Sequence, residues 1–132
     1  MFLFLFYSEA DTTPPTFTIC PNAITVNNLG CTATTTTQSF LATATDNCGA
    51  VSVTYTSTGA TVFSQTQTSA NFNLGTSFVT ATARDSSNNQ NTVLCTFPVA
   101  VARGLYVGFN TVGSKCLPLT TIHFPLDVNS IG

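Results

Sequence analysis

Cysteine is the residue type with the most chemistry to offer in this chain of 132 residues. The five cysteines are Cys20, Cys31, Cys48, Cys95 and Cys116. None forms a Cys-x-x-Cys pair and the chain has a single histidine, so we expect no structural zinc site. Widely spaced cysteines in a small chain favour disulfides and an oxidising compartment. Because their number is odd, at least one thiol is free or bonded to another molecule.

The single histidine, His123, is the natural candidate for acid–base catalysis. Asp127 lies four residues later and serines are abundant, but no nucleophile elbow and no Cys–His motif accompanies them. His123 is flanked by Ile122 and Phe124 in a segment that alternates like a strand, which is typical of a structural or solvent-facing histidine. We therefore expect the chain not to be an enzyme.

The composition excludes several classes of partner. Charged residues make up 6% of the chain, against about 25% in typical soluble proteins. Arg84, Arg103 and Lys115 are its only cations, too few to neutralise a phosphate backbone. We expect binding neither to nucleic acid nor to acidic headgroups.

Threonine and serine take the place of charge, as in the run Thr34–Thr37. Three explanations remain open: threonine-rich strand faces, O-linked sugars on the hydroxyls, or a surface covered in an assembly, where charges are depleted. The chain contains no Asn-x-Ser/Thr sequon for N-linked sugars.

Period-two alternation dominates the chain and predicts an all-β fold of several strands joined by turns. Val51, Val53 and Tyr55, for example, alternate with hydroxyl residues. Pro98 points away from the apolar set of its strand and suggests an edge strand. The predicted strands are 17–26 (broken at Pro21), 31–44, 51–58, two short pieces within 61–73, 77–85 and 93–102.

The stretches "DTTPPTFTICPNAITV", "ATDNCGAVSV", "FNLGTSFVTATARDSSNN" and "CTFPVAV" follow one another in the order typical of a hyalin-repeat (HYR) domain. The chain resembles this family over residues 11–103, although Asn88-Asn89 replaces the usual Gly-Asn. The resemblance implies an immunoglobulin-like antiparallel β-sandwich of an extracellular, adhesive protein. An apolar extension (1–10) precedes this domain and an apolar β tail (104–132) follows it.

The resemblance also implies a disulfide pattern. In such a sandwich the second half of the first strand runs parallel to the last strand, which makes Cys20 and Cys95 neighbours. A Cys20–Cys95 disulfide leaves Cys31–Cys48 as the second pair, one of the three connectivities that four cysteines allow and among which the sequence alone does not choose. Cys116 is then a free or tail-buried thiol, or a link to another molecule.

The same topology places Asp11, Asp46 and Asp85 at one end of the sandwich. Together with Asn47 and Asn88 they would offer the oxygen ligands that calcium prefers, and calcium is the one cofactor we consider. The alternative is that each aspartate closes a turn through hydrogen bonds to the backbone.

The opening stretch "MFLFLFYSEA" is apolar at Phe2, Leu3, Phe4, Leu5 and Phe6. It is far shorter than the about 20 residues of a membrane-spanning helix, so we expect no transmembrane segment. Ser8-x-Ala10 resembles a signal cleavage site, but a basic leader is missing. We favour an apolar strand that adds to a neighbouring sheet edge. The tail predicts two more strands, Leu105–Phe109 and Leu119–Val128, which need a surface to pack on.

Two functions follow. The first is a non-catalytic extracellular structural subunit that self-assembles, as a filament or surface layer, through its apolar ends. The alternative is a monomeric cell-adhesion or ligand-binding module of a secreted protein, stabilised by calcium. Both imply an extracellular or cell-surface location, with copies of the chain or another extracellular protein as partner.

Overall fold

The computed structural model describes residues 10–29, 33–87 and 90–104, which form strands and turns and no helix. The all-β prediction is confirmed. No helix in this part of the chain is long and apolar enough to cross a membrane. The strands are β1 (Thr16–Ile19), β2 (Ile24–Leu29), β3 (Thr35–Ser39), β4 (Thr43–Thr45), β5 (Val51–Gly59), β6 (Phe63–Gln65), β7 (Ser69–Asn73), β8 (Gly75–Asp85) and β9 (Thr92–Arg103).

These strands form the two layers of a sandwich. One layer is a five-stranded sheet in the order β2-β9-β8-β5-β6, and the other consists of the pairs β1–β4 and β3–β7. All pairs are antiparallel except β2–β9, which is parallel. This arrangement confirms the immunoglobulin-like sandwich and the parallel run of the first and last strands.

The opening strand changes layers at its predicted break. Phe17 pairs with Ala44 in the smaller layer, whereas Ile24 pairs with Val99 in the five-stranded sheet. Pro21 lies between the two pairings and has no N–H to donate to a ladder. The chain can therefore leave one sheet here and join the other.

The segment 31–44, predicted as one strand, is interrupted at Phe40–Ala42. Phe40 and Ala42 are both buried in the core. The Tyr55 hydroxyl accepts a hydrogen bond from Ala42 N at 3.1 Å and donates one to Ala42 O at 3.3 Å. Because this side chain satisfies both backbone groups, the strand can bend inward without leaving a buried polar group unpaired.

Phe40 is the centre of the hydrophobic core. Its ring centroid lies 5.0 Å from that of Tyr55, 6.0 Å from Phe63, 6.1 Å from Phe72 and 5.9 Å from Phe97. These distances are typical of favourable aromatic pairs. The two central strands β8 and β9 contribute the aliphatic part of the core, which consists of Val79, Ala81, Val99 and Val101.

Pro98 does not lie on an edge strand, contrary to the prediction, because β9 lies between β8 and β2. The pairing with β2 begins at Val99, one residue beyond the proline. Up to Pro98, therefore, β9 has only β8 as its neighbour in the sheet. Pro98, which has no N–H, therefore precedes the part of β9 that pairs with β2. This position explains how the sheet accommodates the proline.

The outer face of the five-stranded sheet, here called the hydroxyl face, is covered with threonine and serine. Thr80 Oγ1 lies 2.9 Å from Thr96 Oγ1 of the next strand. Phe78 and Leu94 are exposed on the same face, and Arg84 is the one charged residue among the outward-facing positions of β5, β8 and β9. The outward-facing hydroxyl residues of these strands are Ser52, Thr54, Thr56, Thr58, Thr76, Thr80, Thr82, Thr92 and Thr96.

Replacing Tyr55 by phenylalanine should destabilise the sandwich by about 1–3 kcal/mol, because it leaves the buried N–H of Ala42 without a partner. Urea unfolding under non-reducing conditions would measure the change. Thr54→Ala, on the exposed face of the same strand, is the matched control and should change the free energy of unfolding by less than about 0.5 kcal/mol. Equal effects of the two substitutions would contradict the role given to the hydroxyl.

Candidate metal centre

The structure brings the three predicted aspartates together at one end of the sandwich. Asp11 precedes β1, Asp46 directly follows β4, and Asp85 is the last residue of β8. One carboxylate oxygen from each lies within 4.8 Å of the other two. We call this group the acidic cluster. It joins three segments that are distant in sequence, and the sheet register places each at this end.

Each aspartate of the acidic cluster also closes a turn, as the alternative interpretation expected. In every case the Oδ1 atom accepts a hydrogen bond from the backbone N–H two residues later. These hydrogen bonds fix each side chain against its own backbone. In these turn conformations the three carboxylates also lie close to one another. The donors are Thr13 N at 3.0 Å, Cys48 N at 2.9 Å and Ser87 N at 3.1 Å.

Asp85 is the most buried member of the cluster, with 4% of its surface exposed. Burial disfavours its charged form, but hydrogen bonds from Ser87 and Asn91 outweigh this effect, so the pKa of Asp85 lies below the ordinary value of 3.8. The Ser87 hydroxyl donates to Asp85 Oδ1 at 2.7 Å, and Asn91 Nδ2 donates to Oδ2 at 2.9 Å. Asp85 is therefore ionised at neutral pH.

Asn91 is the residue that sequence reasoning missed. Besides Asp85, its side-chain amide donates to the backbone carbonyls of Asp11 at 3.2 Å and Thr13 at 3.3 Å. It thus ties the segment before β1 to the end of β8. The only signal in the sequence is a polar residue between the β8–β9 turn and the last strand, which is too common to single it out.

Asp46 has an oxygen with no assigned role. Its Oδ2 is buried and accepts no hydrogen bond from the described residues. Beside it lies an open groove of about 290 Å³, and Asn47 is part of the groove wall, close to the cluster as predicted. Asn88 lies outside the described residues. The remaining residues of the wall are Thr13, Pro14, Thr16 and Thr45.

The donor set of the acidic cluster fits a hard cation. Carboxylate and carbonyl oxygens are the ligands that calcium uses, six to eight at a time. Asp11, Asp46 and Asp85 would supply part of such a shell, and water or backbone carbonyls would have to supply the rest. Within the described part of the chain, none of the soft thiolates and imidazoles typical of zinc or copper sites contributes a ligand atom to the cluster.

The predicted disulfide between Cys20 and Cys95 is confirmed, with the two Cα atoms 6.0 Å apart. Cys20 lies between β1 and β2, where the chain changes layers, and Cys95 lies in β9. The bridge therefore fixes the crossing segment to the last strand.

Of the second predicted pair, Cys31–Cys48, the structure describes only Cys48, which has a free, exposed thiol near the acidic cluster. Cys31 lies outside the described residues.

The other predicted site residues lie outside the described residues. They are Cys116, the catalytic candidates His123 and Asp127, and the apolar run Phe2, Leu3, Phe4, Leu5 and Phe6. The two strands predicted for the tail, Leu105–Phe109 and Leu119–Val128, also lie there.

The lowered pKa of Asp85 makes stability depend on pH in a defined direction. Because the folded-state pKa lies below the unfolded value, the stabilisation is fully present above about pH 4. It is lost as the pH falls through the folded-state pKa. Urea unfolding at pH 7 and from pH 5 to 2.5 would measure this effect. As the pH falls, the free energy of unfolding should decrease more steeply for the wild type than for Asp85→Asn. Parallel curves, or an Asp85 carboxyl NMR signal that titrates above pH 3.8, would contradict the assignment.

A comparison with protein-family models relates this chain to a known family. The model of the HYR domain, an extracellular adhesion-type module, matches residues 10–101. No curated protein and no solved structure gives a significant match. The matched region contains both layers of the sandwich, the Cys20–Cys95 disulfide and the acidic cluster. With most of its length covered in this way, the chain belongs to the HYR domain family.

Proposed function

We propose that this protein is a non-catalytic extracellular adhesion module whose acidic end binds calcium. The observation that carries the proposal is the convergence of the Asp11, Asp46 and Asp85 carboxylates within 4.8 Å. Like charges this close repel one another, and a divalent cation would replace that repulsion with attraction.

Calcium at this position would act as a cross-link between three segments. Asp11 belongs to the segment before β1, Asp46 to the turn after β4, and Asp85 to the end of β8. Asn91 already joins two of these segments through hydrogen bonds, while Asp46 offers a buried oxygen that accepts none from the described residues. A cation shared by all three would fix the entry of the chain into the sandwich.

The extracellular setting is supported by two observations. HYR domains are extracellular modules, and the Cys20–Cys95 disulfide is the kind of bond that persists in oxidising compartments. The adhesive role of the family also supports a module without catalytic activity. In this proposal the partner is another extracellular protein or a copy of the chain, and threonines of the hydroxyl face carry O-linked sugars.

Calcium should raise the melting temperature of the protein after prior treatment with EDTA, because a ligand bound only by the folded state stabilises it. A saturating concentration, a hundred times the dissociation constant, corresponds to about 2.7 kcal/mol. Asp46→Asn should abolish the shift. Calorimetric titration with Ca²⁺ and thermal unfolding would measure binding and stabilisation.

The control for this experiment is Asp127→Asn, which removes the same charge from a position outside the HYR match. It should keep the calcium response. If Asp46→Asn and Asp127→Asn respond to calcium as the wild type does, or if the wild type does not respond at all, the acidic cluster is not a calcium site.

The second candidate function is a structural subunit that self-assembles into a filament or surface layer. It is favoured by the apolar run Phe2–Phe6, the apolar tail and a charged fraction of only 6%. An apolar strand that pairs with a neighbouring sheet edge forms a head-to-tail contact, which propagates unless rotation closes it.

Removing residues 1–10 tests this second candidate. The intact chain should form particles larger than one chain mass, and the truncated chain should be a monomer, because the donated apolar strand is gone. Light scattering coupled to size-exclusion chromatography would measure both. Monomers in both samples would leave the adhesion module as the only candidate, and equal assemblies would assign the contact to another surface.

A further inference from the structure

The two ends of the described chain lie at opposite ends of the sandwich. Asp11 belongs to the acidic cluster, beside the start of β5 and β9 and the end of β8. The last described strand, β9, ends at Arg103, which pairs with Leu29 beyond the other end of β8. A force applied to the two ends therefore acts along the long axis of the module.

The Cys20–Cys95 disulfide joins the first and last segments of the chain and encloses the segment between them. Its two cysteines are 75 residues apart in sequence. Strands β2 to β8 all lie within this loop. A force that enters at Asp11 and leaves at Arg103 can pass through β1, the disulfide and β9 without loading the enclosed strands.

The strands on this path are already nearly fully extended. Both β1 and the part of β9 after Cys95 are already strands, with a rise of about 3.3 Å per residue against a maximum of about 3.6 Å. Pro14 and Pro15, just before β1, also restrict the chain to extended conformations. Tension can therefore lengthen β1 and this part of β9 by only a few tenths of an ångström per residue, and the turn between Asp11 and Thr13 can straighten in addition.

We propose that the Cys20–Cys95 disulfide makes this module a tether of nearly constant length under tension between its two ends. The load follows a direct covalent line through the sandwich, and unfolding of the enclosed strands adds no length. Without the bridge, the chain between the two cysteines, which are 75 residues apart in sequence, would add roughly 250 Å when extended. This inference goes beyond the proposed function and does not depend on calcium.

Single-molecule force spectroscopy tests the proposal on the full chain held between two handle domains of known unfolding length. In the oxidised wild type we expect no unfolding step from the sandwich near 250 Å. Adding a thiol reductant while the same molecule is held under force should release an additional length of about 250 Å. The chain outside the sandwich contributes equally to both states.

The double variant Cys20→Ser/Cys95→Ser should show the long step without reductant. Because this variant can fail to fold, reduction of the wild type under force provides the same comparison in a protein that has already folded. Cys48→Ser is the matched control, since it removes an exposed free thiol and should keep the short length.

An oxidised wild type that extends as far as the reduced one would overturn the proposal, and so would a reduced protein that releases no additional length. Repeating the measurement with EDTA separates the two proposals, because loss of calcium should leave the locked length unchanged. A module that fails to bind calcium but keeps its length would contradict only the proposed metal site.

Discussion

The burial of Phe40 among four aromatic rings is the constraint from which the rest of the sandwich follows. To place this side chain in the core, the strand that carries it must bend, and the Tyr55 hydroxyl satisfies both backbone groups of Ala42 at the bend. After the bend, β4 pairs with β1 instead of continuing the β3–β7 ladder. The turn that begins at Asp46 is thereby brought to the end of the sandwich where the chain enters.

The acidic end is a balance between carboxylates that repel one another and N–H groups that hold them. Turn N–H groups occupy one oxygen of each aspartate, and the Asn91 amide occupies the second oxygen of Asp85. These neutral donors favour ionisation of Asp85 despite its burial. They do not cancel the negative charge of the group, and this uncancelled charge is the basis of the proposed cation site.

Much of the fold could be predicted from the sequence, because alternation of apolar residues reports directly on which face of a strand is buried. The convergence of Asp11, Asp46 and Asp85, like the Cys20–Cys95 disulfide, was implied by the resemblance to HYR domains, because the strand order of that family places these turn residues at one end. The bend at Phe40 depends on a tertiary hydrogen bond, and the role of Asn91 depends on three oxygens from two segments. Neither leaves a local pattern.

The hydroxyl face also determines how the module responds to its solution. Binding between charged surfaces becomes weaker as salt screens the charges. At physiological ionic strength the screening length is about 8 Å. With Arg84 as the one charged residue facing outward from β5, β8 and β9, this face has almost no field to screen. Contacts made across it are governed by shape and by the exchange of water between hydroxyl groups. Such contacts would therefore change little as added salt screens the charges elsewhere on the protein.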